Sequence, residues 1–353
     1  MVLYRKYRPQ KIAELDIENV REKFVHILSS GRIPHAFLFS GPKGTGKTSA
    51  ARIVAKVINC ELRIKNQESS TKNIEPCNKC ESCVSITEGR NLDVLEIDAA
   101  SNRGIDEIRE LKEKIKLSPV SARFKVYIID EVHMLTTEAF NALLKTLEEP
   151  PAHAIFILAT TEMEKLLPTI VSRCARVDFA KATNEEIAHS LERVIKGEKL
   201  KIADADKFVS LIAGSSEGSF RDATKLLEQA MLEDALSYEK LVGILGFVSG
   251  DDAKKLLVVL SRKDAKKALS MIEEMGQKGV NFKSLTANIV EVLHDLLLEK
   301  FEISKNKTEG LDKLGTKDIE ILIRLFTRAY GESKYAVVAS LPLEMVVVEW
   351  SEG

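Results

Sequence analysis

Several things are scarce in this 353-residue chain, and each scarcity narrows what it can be. No apolar run approaches the roughly 18–20 residues that a helix needs to cross a bilayer, and Met1-Val2-Leu3-Tyr4-Arg5-Lys6 does not open a secretory signal. Both point to the cytoplasm and away from any membrane. Charge of one sign is missing too. With a net charge of −1, any nucleic-acid contact must come from a local basic surface. Cysteines number five, four of them clustered, which suits a metal site in a reducing compartment better than a disulfide scaffold. There is no internal repeat and no low-complexity tail. What remains, 44% hydrophobic and 30% charged, is an ordinary composition with ample core. The length allows two or three domains.

The most informative segment is Gly41-Pro42-Lys43-Gly44-Thr45-Gly46-Lys47-Thr48, which fills every fixed position of the phosphate-binding pattern G-x-x-x-x-G-K-[ST]. Ala36-Phe37-Leu38-Phe39-Ser40 before it reads as a buried strand, and Thr48-Ser49-Ala50-Ala51-Arg52-Ile53 after it opens a helix. Glycines let backbone N–H groups face an anion without a Cβ in the way, and the helix start adds the positive end of its dipole. Lys47 can then reach the β/γ-phosphates and the Thr48 hydroxyl can hold Mg²⁺.

Residues 1–180 alternate strand and helix patterns. Strands are expected over 92–98, 125–130 and 154–160, and helices over 105–117 and 137–149, the last closed by Pro150-Pro151. Strands apolar nearly throughout and separated by helices imply a parallel sheet covered on both faces. Beyond Asp178 helical periodicity takes over. Residues 181–240 read as a small helical domain with Gly214 and Gly218 marking a turn, and 241–353 as a further helical domain. Its helices are expected around 252–260, 265–275, 282–300, 316–330 and 334–348.

Other residues carry chemistry. Asp130-Glu131 ends a buried strand, where ligands sit in a parallel sheet. There Asp130 can hold Mg²⁺ and Glu131 can orient and deprotonate a water. Cys77, Cys80 and Cys83 stand at C-x₂-C-x₂-C spacing, and Cys60 supplies a plausible fourth thiol. Four thiols can close a structural Zn²⁺ site that pins an insertion at about 60–90; an iron–sulfur cluster is the chemical rival. Cys174 stands alone as a packed thiol. Ser219 is a good helix N-cap, and Arg221 in that helix's first turn opposes the dipole, which favours an anion partner over a solvated arginine. Arg173, just past the sheet region, reads equally as a surface ion pair or as a side chain reaching a neighbour's nucleotide. Arg109, Lys112 and Lys116 fall within about 60° on a helix, a candidate phosphate-binding stripe that Glu113 dilutes.

Assembled, these residues resemble the AAA+ ATPases, and within them the gamma/tau family of bacterial DNA polymerase III clamp loaders. The resemblance runs from residue 4 to about 350. It rests on Tyr7-Arg8-Pro9, the loop 41–48, the four-cysteine insertion, Ala99-Ala100-Ser101-Asn102 and Asp130-Glu131-Val132-His133-Met134-Leu135. Leu147-Glu148-Glu149-Pro150-Pro151, Ala159-Thr160-Thr161, Ser172-Arg173-Cys174 and Ser219-Phe220-Arg221-Asp222 add to it. One departure is Glu14-Leu15-Asp16-Ile17-Glu18-Asn19, where the family usually carries Val-Gly-Gln-like residues.

The resemblance implies an α/β fold: an AAA+ P-loop ATPase domain with a zinc-binding insertion, a helical lid and an all-α collar that joins five subunits. It implies Thr161 as the γ-phosphate sensor, with Thr160 the fallback, and Arg221 on the nucleotide of its own subunit. Arg173 becomes the finger for a neighbour's site, and Arg8 and Pro9 lie near the adenine. ATP, Mg²⁺ and Zn²⁺ are the implied cofactors. Other clamp-loader subunits, the ring-shaped sliding clamp and primer–template DNA are the implied partners, and loading the clamp the implied activity. The polymerase- and helicase-binding extension of the longer family form is not expected here.

Overall fold

In the computed structural model the described residues are 2–65, 74–101, 113–245, 250–301, 303, 310–311 and 313–352. They divide into two compact units, Met1–Asp234 and Ala235–Gly353.

The first unit is built on five parallel strands: β1 (Ala36–Ser40), β2 (Val94–Asp98), β3 (Lys125–Asp130), β4 (Ala154–Thr160) and β5 (Ala175–Asp178). Their order across the sheet is β2-β3-β4-β1-β5. Period-two alternation divides the apolar strand residues between two faces. Phe37, Phe39, Val126, Ile128, Ile155 and Ile157 pack against the helices Glu18–Ser29 and Lys47–Asn59. Leu38, Tyr127, Ile129, Phe156 and Leu158 pack on the other face, against the helix Thr137–Glu148. The sheet is therefore the middle layer of three, as continuous apolar parallel strands require. Three further helices, Asn184–Glu198, Ala205–Ser215 and Phe220–Leu232, follow β5. Thr183 and Glu186 form a reciprocal capping box at the first of them.

Two elements depart from the sequence reading. β2 begins at Val94 because Asp93 is spent on an anchor: its buried carboxylate accepts the N–H groups of Val120, Ser121 and Ala122 at 2.7–2.8 Å. β5 went unseen because it has only four residues, with just Val177 fully buried, on the sheet edge. The helix expected over 105–117, with Arg109 and Lys112 of the basic stripe and Asn102 before it, lies largely outside the described residues.

The regular elements of the second unit among its described residues are the helices Tyr238–Leu245, Gly250–Leu260, Ala265–Gln277, Phe282–Lys300, Thr316–Glu332 and Leu341–Glu352. Leu256, Ile272, Leu285, Ile289, Leu293, Leu322 and Val346 fill its core, and Trp350 donates its indole N–H to the Leu260 carbonyl at 2.8 Å. The last helix starts at Leu341, seven residues later than periodicity implied. Pro342 fits only a first helical turn, and the β-branched run before it does not favour helix. No helix among the described residues is long and apolar enough to cross a membrane.

The core makes a direct stability prediction. Phe156 is fully buried in β4 and stacks on Tyr127 with ring centroids 5.4 Å apart. Phe156→Ala is expected to destabilise the first unit by about 3–5 kcal/mol in a denaturant titration followed by a probe in that unit. A loss below about 1 kcal/mol would show that the sheet core tolerates a cavity it should not.

Candidate functional site

The loop 41–47 leaves the carboxyl end of β1 and runs into the helix Lys47–Asn59. Two of its glycines are required by space as well as by backbone angle. At Gly41 (φ +146°) a Cβ would lie 2.0 Å from the Phe179 carbonyl oxygen, and at Gly44 (φ +82°) 2.0 Å from Ser219 Oγ. Thr45 Oγ1 donates to the Pro42 carbonyl at 2.9 Å. Lys47 Nζ donates to the carbonyls of Gly41 and Pro42 at 2.7 and 2.8 Å, so the ammonium sits in the mouth of the loop. Burial holds its pKa below the ordinary lysine value, with Glu131 and Asp130 opposing that shift. An anion in the loop would relieve such an ammonium.

The acidic pair faces the loop from the end of β3, with β4 between β3 and β1. Thr48 Oγ1 donates to Asp130 Oδ2 at 2.7 Å, which sets a hydroxyl and a carboxylate side by side as two oxygen ligands for a small hard cation. Glu131 is left-handed (φ +48°), a rare state for a residue with a Cβ. Its Oε2 accepts from the Thr161 N–H at 3.2 Å and from Thr161 Oγ1 at 2.9 Å. Thr160 is committed elsewhere: its Oγ1 lies 3.0 Å from His133 Nδ1 and accepts the Glu162 N–H at 3.0 Å. Thr161, rather than Thr160, therefore meets the carboxylate. His133 escaped the sequence reading as a site residue. It is almost fully buried, with Nδ1 3.4 Å from Glu131 Oε2 and Nε2 3.2 Å from Glu162 Oε1.

Above the loop a cleft of about 500 Å³ opens, lined by Arg8, Pro9, Lys43–Ser49, Asp130, Glu131 and Arg221 among others. Gly41 and Pro42 are not in its wall; their carbonyls hold Lys47 instead. Leu15, Ile17, Val20, Phe179, Val194 and Phe220 give it an apolar side suited to a flat ring, a wall the sequence reading missed because its residues come from four separate segments. Burial, and then the charge of Arg52, lower the pKa of Arg8, the electrostatics of a cation that favours an anionic partner.

The helix Phe220–Leu232 closes the cleft. Ser219 caps it, accepting the Asp222 N–H at 3.2 Å, and the Phe220 N–H donates to the Gly44 carbonyl at 3.1 Å. The Arg221 guanidinium lies 4.8 Å from the Tyr4 ring centroid, a cation–π contact that aims it at the opening. Asp16, also in the wall, anchors the same region by taking Arg193 through two hydrogen bonds of 2.6 Å and His189 at 2.8 Å. Arg173 is not in the wall. It pairs with Glu148 at 2.8 Å and donates to the Thr169 carbonyl, away from the cleft of its own chain.

The four clustered cysteines converge. The Sγ atoms of Cys60, Cys77, Cys80 and Cys83 lie within 4.8 Å of one another, and those of Cys77 and Cys83 are 3.9 Å apart. Zn–S bonds of about 2.3 Å put tetrahedral sulfurs about 3.8 Å apart, so the set fits one closed tetrahedral ion. It is too tight for thiols spread around a multi-iron cluster. Local structure builds it: Cys60 ends the phosphate-loop helix, and Cys80 precedes the helix Glu81–Glu88 that carries Cys83. Burial opposes ionisation at Cys77, but the N–H groups of Lys79 and Cys80 pointing at its sulfur bring its pKa down to about 7. Cys174 stands apart, and burial pushes its thiol up to about 11.

A parallel sheet in this order, with the loop 41–47 after β1, an Asp-Glu pair after β3, a polar residue past β4 and helices after β5, has the layout of an AAA+ P-loop fold. A family profile described as DNA polymerase III, delta subunit, matches residues 17–183. The chain is 39% identical to DNA polymerase III subunit tau of Bacillus subtilis over 98% of its length and 62% of the relative's. It is 40% identical to subunit tau of Escherichia coli over 84% of its length and 45% of the relative's. With DNA polymerase III subunit gamma of Buchnera aphidicola (subsp. Schizaphis graminum) it shares 38% identity over 99% and 97% of the two chains. The chain belongs to the DNA polymerase III gamma/tau subunit family. It spans about half to three fifths of the two tau subunits.

The metal centre is tested by composition. Protein purified without chelator is expected to carry one zinc per chain by elemental analysis, and Cys80→Ser to lose most of it together with several degrees of thermal stability. A metal-free parent of unchanged stability would remove the assignment.

Proposed function

We propose that this chain is an ATP-hydrolysing motor subunit of a replicative clamp loader, a component of the DNA polymerase III holoenzyme. The observation that carries the reading is the convergence of Lys47, the Thr48–Asp130 pair and the Glu131–Thr161 pair at one end of the sheet, in a gamma/tau family member. Backbone N–H groups of residues 43–48 and the Lys47 ammonium would hold the triphosphate. Thr48 and Asp130 would hold Mg²⁺, which when bound neutralises charge on the phosphates. Glu131 would accept the proton of the attacking water, and Thr161, already on that carboxylate, would position both it and the γ-phosphate. Arg8 and Pro9 would border the adenine, and Arg221 would reach the phosphates from the lid.

Arg173 acts in trans in this reading. Its distance from its own cleft and its tether to Glu148 support an arginine held ready for a neighbouring subunit. Residues 241–353 would form the collar through which five clamp-loader subunits assemble, with 181–240 as the lid domain and 1–180 as the ATPase domain. Binding of ATP would let the assembly open the ring-shaped sliding clamp and grip primer–template DNA, and hydrolysis would release the clamp closed on DNA. The zinc would be structural, and the setting cytoplasmic.

Two substitutions test the division of labour. Glu131→Gln is expected to bind ATP normally while the reconstituted assembly loses turnover at that subunit by a factor of about 10²–10⁴, the usual worth of a general base. Arg173→Ala is expected to leave the nucleotide affinity of the isolated chain unchanged and to remove the stimulation of turnover by clamp and DNA. Full stimulation in Arg173→Ala, or undiminished turnover in Glu131→Gln, would contradict these roles.

A further inference from the structure

Lys56 is one of the most deeply buried side chains in the molecule, with 1% of its surface exposed, and no step of the proposed reaction uses it. It sits on the helix that follows the phosphate loop, and the three N–H groups of its ammonium are shared among four uncharged oxygens. These are the Gln10 carbonyl at 3.0 Å, Gln10 Oε1 at 2.6 Å, Asn78 Oδ1 at 2.8 Å and Thr87 Oγ1 at 3.4 Å. Burial disfavours the ammonium, and the thiols of Cys83 and Cys77 and the Glu14 carboxylate favour it. A buried charge of this kind is unfavourable by several kcal/mol before its partners are counted, and an apolar side chain would fill the same space without that penalty. What the ammonium adds is connectivity between three segments that otherwise share no strand or helix.

Two of those segments are of special interest. Asn78 lies inside the metal turn, between Cys77 and Cys80, in the left-handed conformation (φ +54°). That turn points the N–H groups of Lys79 and Cys80 at the Cys77 sulfur. Gln10 follows Arg8 and Pro9, which line the cleft, and its Nε2 donates back to the Arg8 carbonyl at 3.0 Å. The two are tied directly as well, because Asn78 Nδ2 donates to the Gln10 carbonyl at 3.2 Å. A further tie runs from the insertion to the same strip of chain: the Glu75 carboxylate accepts the N–H groups of Ile12 and Ala13 at 2.7 and 2.8 Å.

We propose that the cysteine turn is a built-in support for the base side of the cleft, with Asn78 and Lys56 as positioning residues that fix segment 8–13 through Gln10. The metal then does more than hold the insertion folded. By fixing the turn it fixes the Asn78 side chain, and through it the wall against which a base would stack. The phosphate loop, built at the other end of the helix from its own backbone, does not depend on this path.

This inference rests on the reading of the cleft as an ATP site, and the test separates the two. Dissociation constants of the full chain for ATP and for inorganic tripolyphosphate, by calorimetry, are compared between the parent and Asn78→Gly. Glycine keeps the positive φ and deletes both bonds of the Asn78 amide. Asn78→Gly is expected to retain its metal by elemental analysis and to bind ATP roughly five- to tenfold more weakly, the size of one or two hydrogen bonds. Tripolyphosphate affinity is expected to stay unchanged. Lys56→Met is expected to show the same selective loss. Stripping the metal from the parent should reproduce it, with little further effect in Asn78→Gly.

Equal ATP affinity in Asn78→Gly and parent, or a matching loss for tripolyphosphate, would overturn the coupling. A parent that binds neither ligand would overturn the nucleotide reading itself, and this proposal with it.

Discussion

One hydrogen bond, from Thr48 Oγ1 to Asp130 Oδ2, joins the two halves of the site across the carboxyl edge of the sheet. The strand order makes it possible. β1 delivers the phosphate loop, β3 delivers the acids, and β4 between them ends in Thr160, with Thr161 just beyond it on the Glu131 carboxylate. Parallel strands all point their carboxyl ends the same way, so the three functional termini must share an edge. Apolar packing on both faces keeps that edge rigid, and the chemistry asks of it only position and charge.

Around this edge the remaining parts act as walls. The lid helix touches the loop through the Phe220 N–H and Gly44 carbonyl, and Ser219 occupies the space that a Gly44 side chain would need. The amino-terminal segment is held from two sides, by Asp16 on Arg193 and His189 and by the Lys56 hub beneath Gln10. The cleft is therefore framed by three segments distant in sequence, each anchored by a charged or polar contact with a specific partner.

Much of this was legible in the residues. The phosphate loop is a local pattern, so its strand, its turn and its helix follow from a short stretch of sequence, and β1, β3 and β4 fall where the apolar runs place them. The cysteine set was legible by spacing, although only the fold brings Cys60 within reach of the other three. Contacts made across the sequence were not legible. Nothing near Glu131 announces that Thr161 and His133 share its carboxylate, and a lone lysine in an amphipathic helix gives no sign of the hub at Lys56. Short or late elements failed for a different reason. β5 lacks length, and the helix at Leu341 is delayed by Pro342, a local veto on a periodic pattern.

The central claim is that the loop ahead of the helix Lys47–Asn59 holds a triphosphate by its backbone and by one buried ammonium. The most direct measurement is the affinity of Lys47→Ala for the slowly hydrolysed analogue ATPγS, with folding checked by circular dichroism. Loss of a charge-assisted contact to phosphate should weaken binding at least about tenfold. Binding as tight as that of the parent would contradict the account.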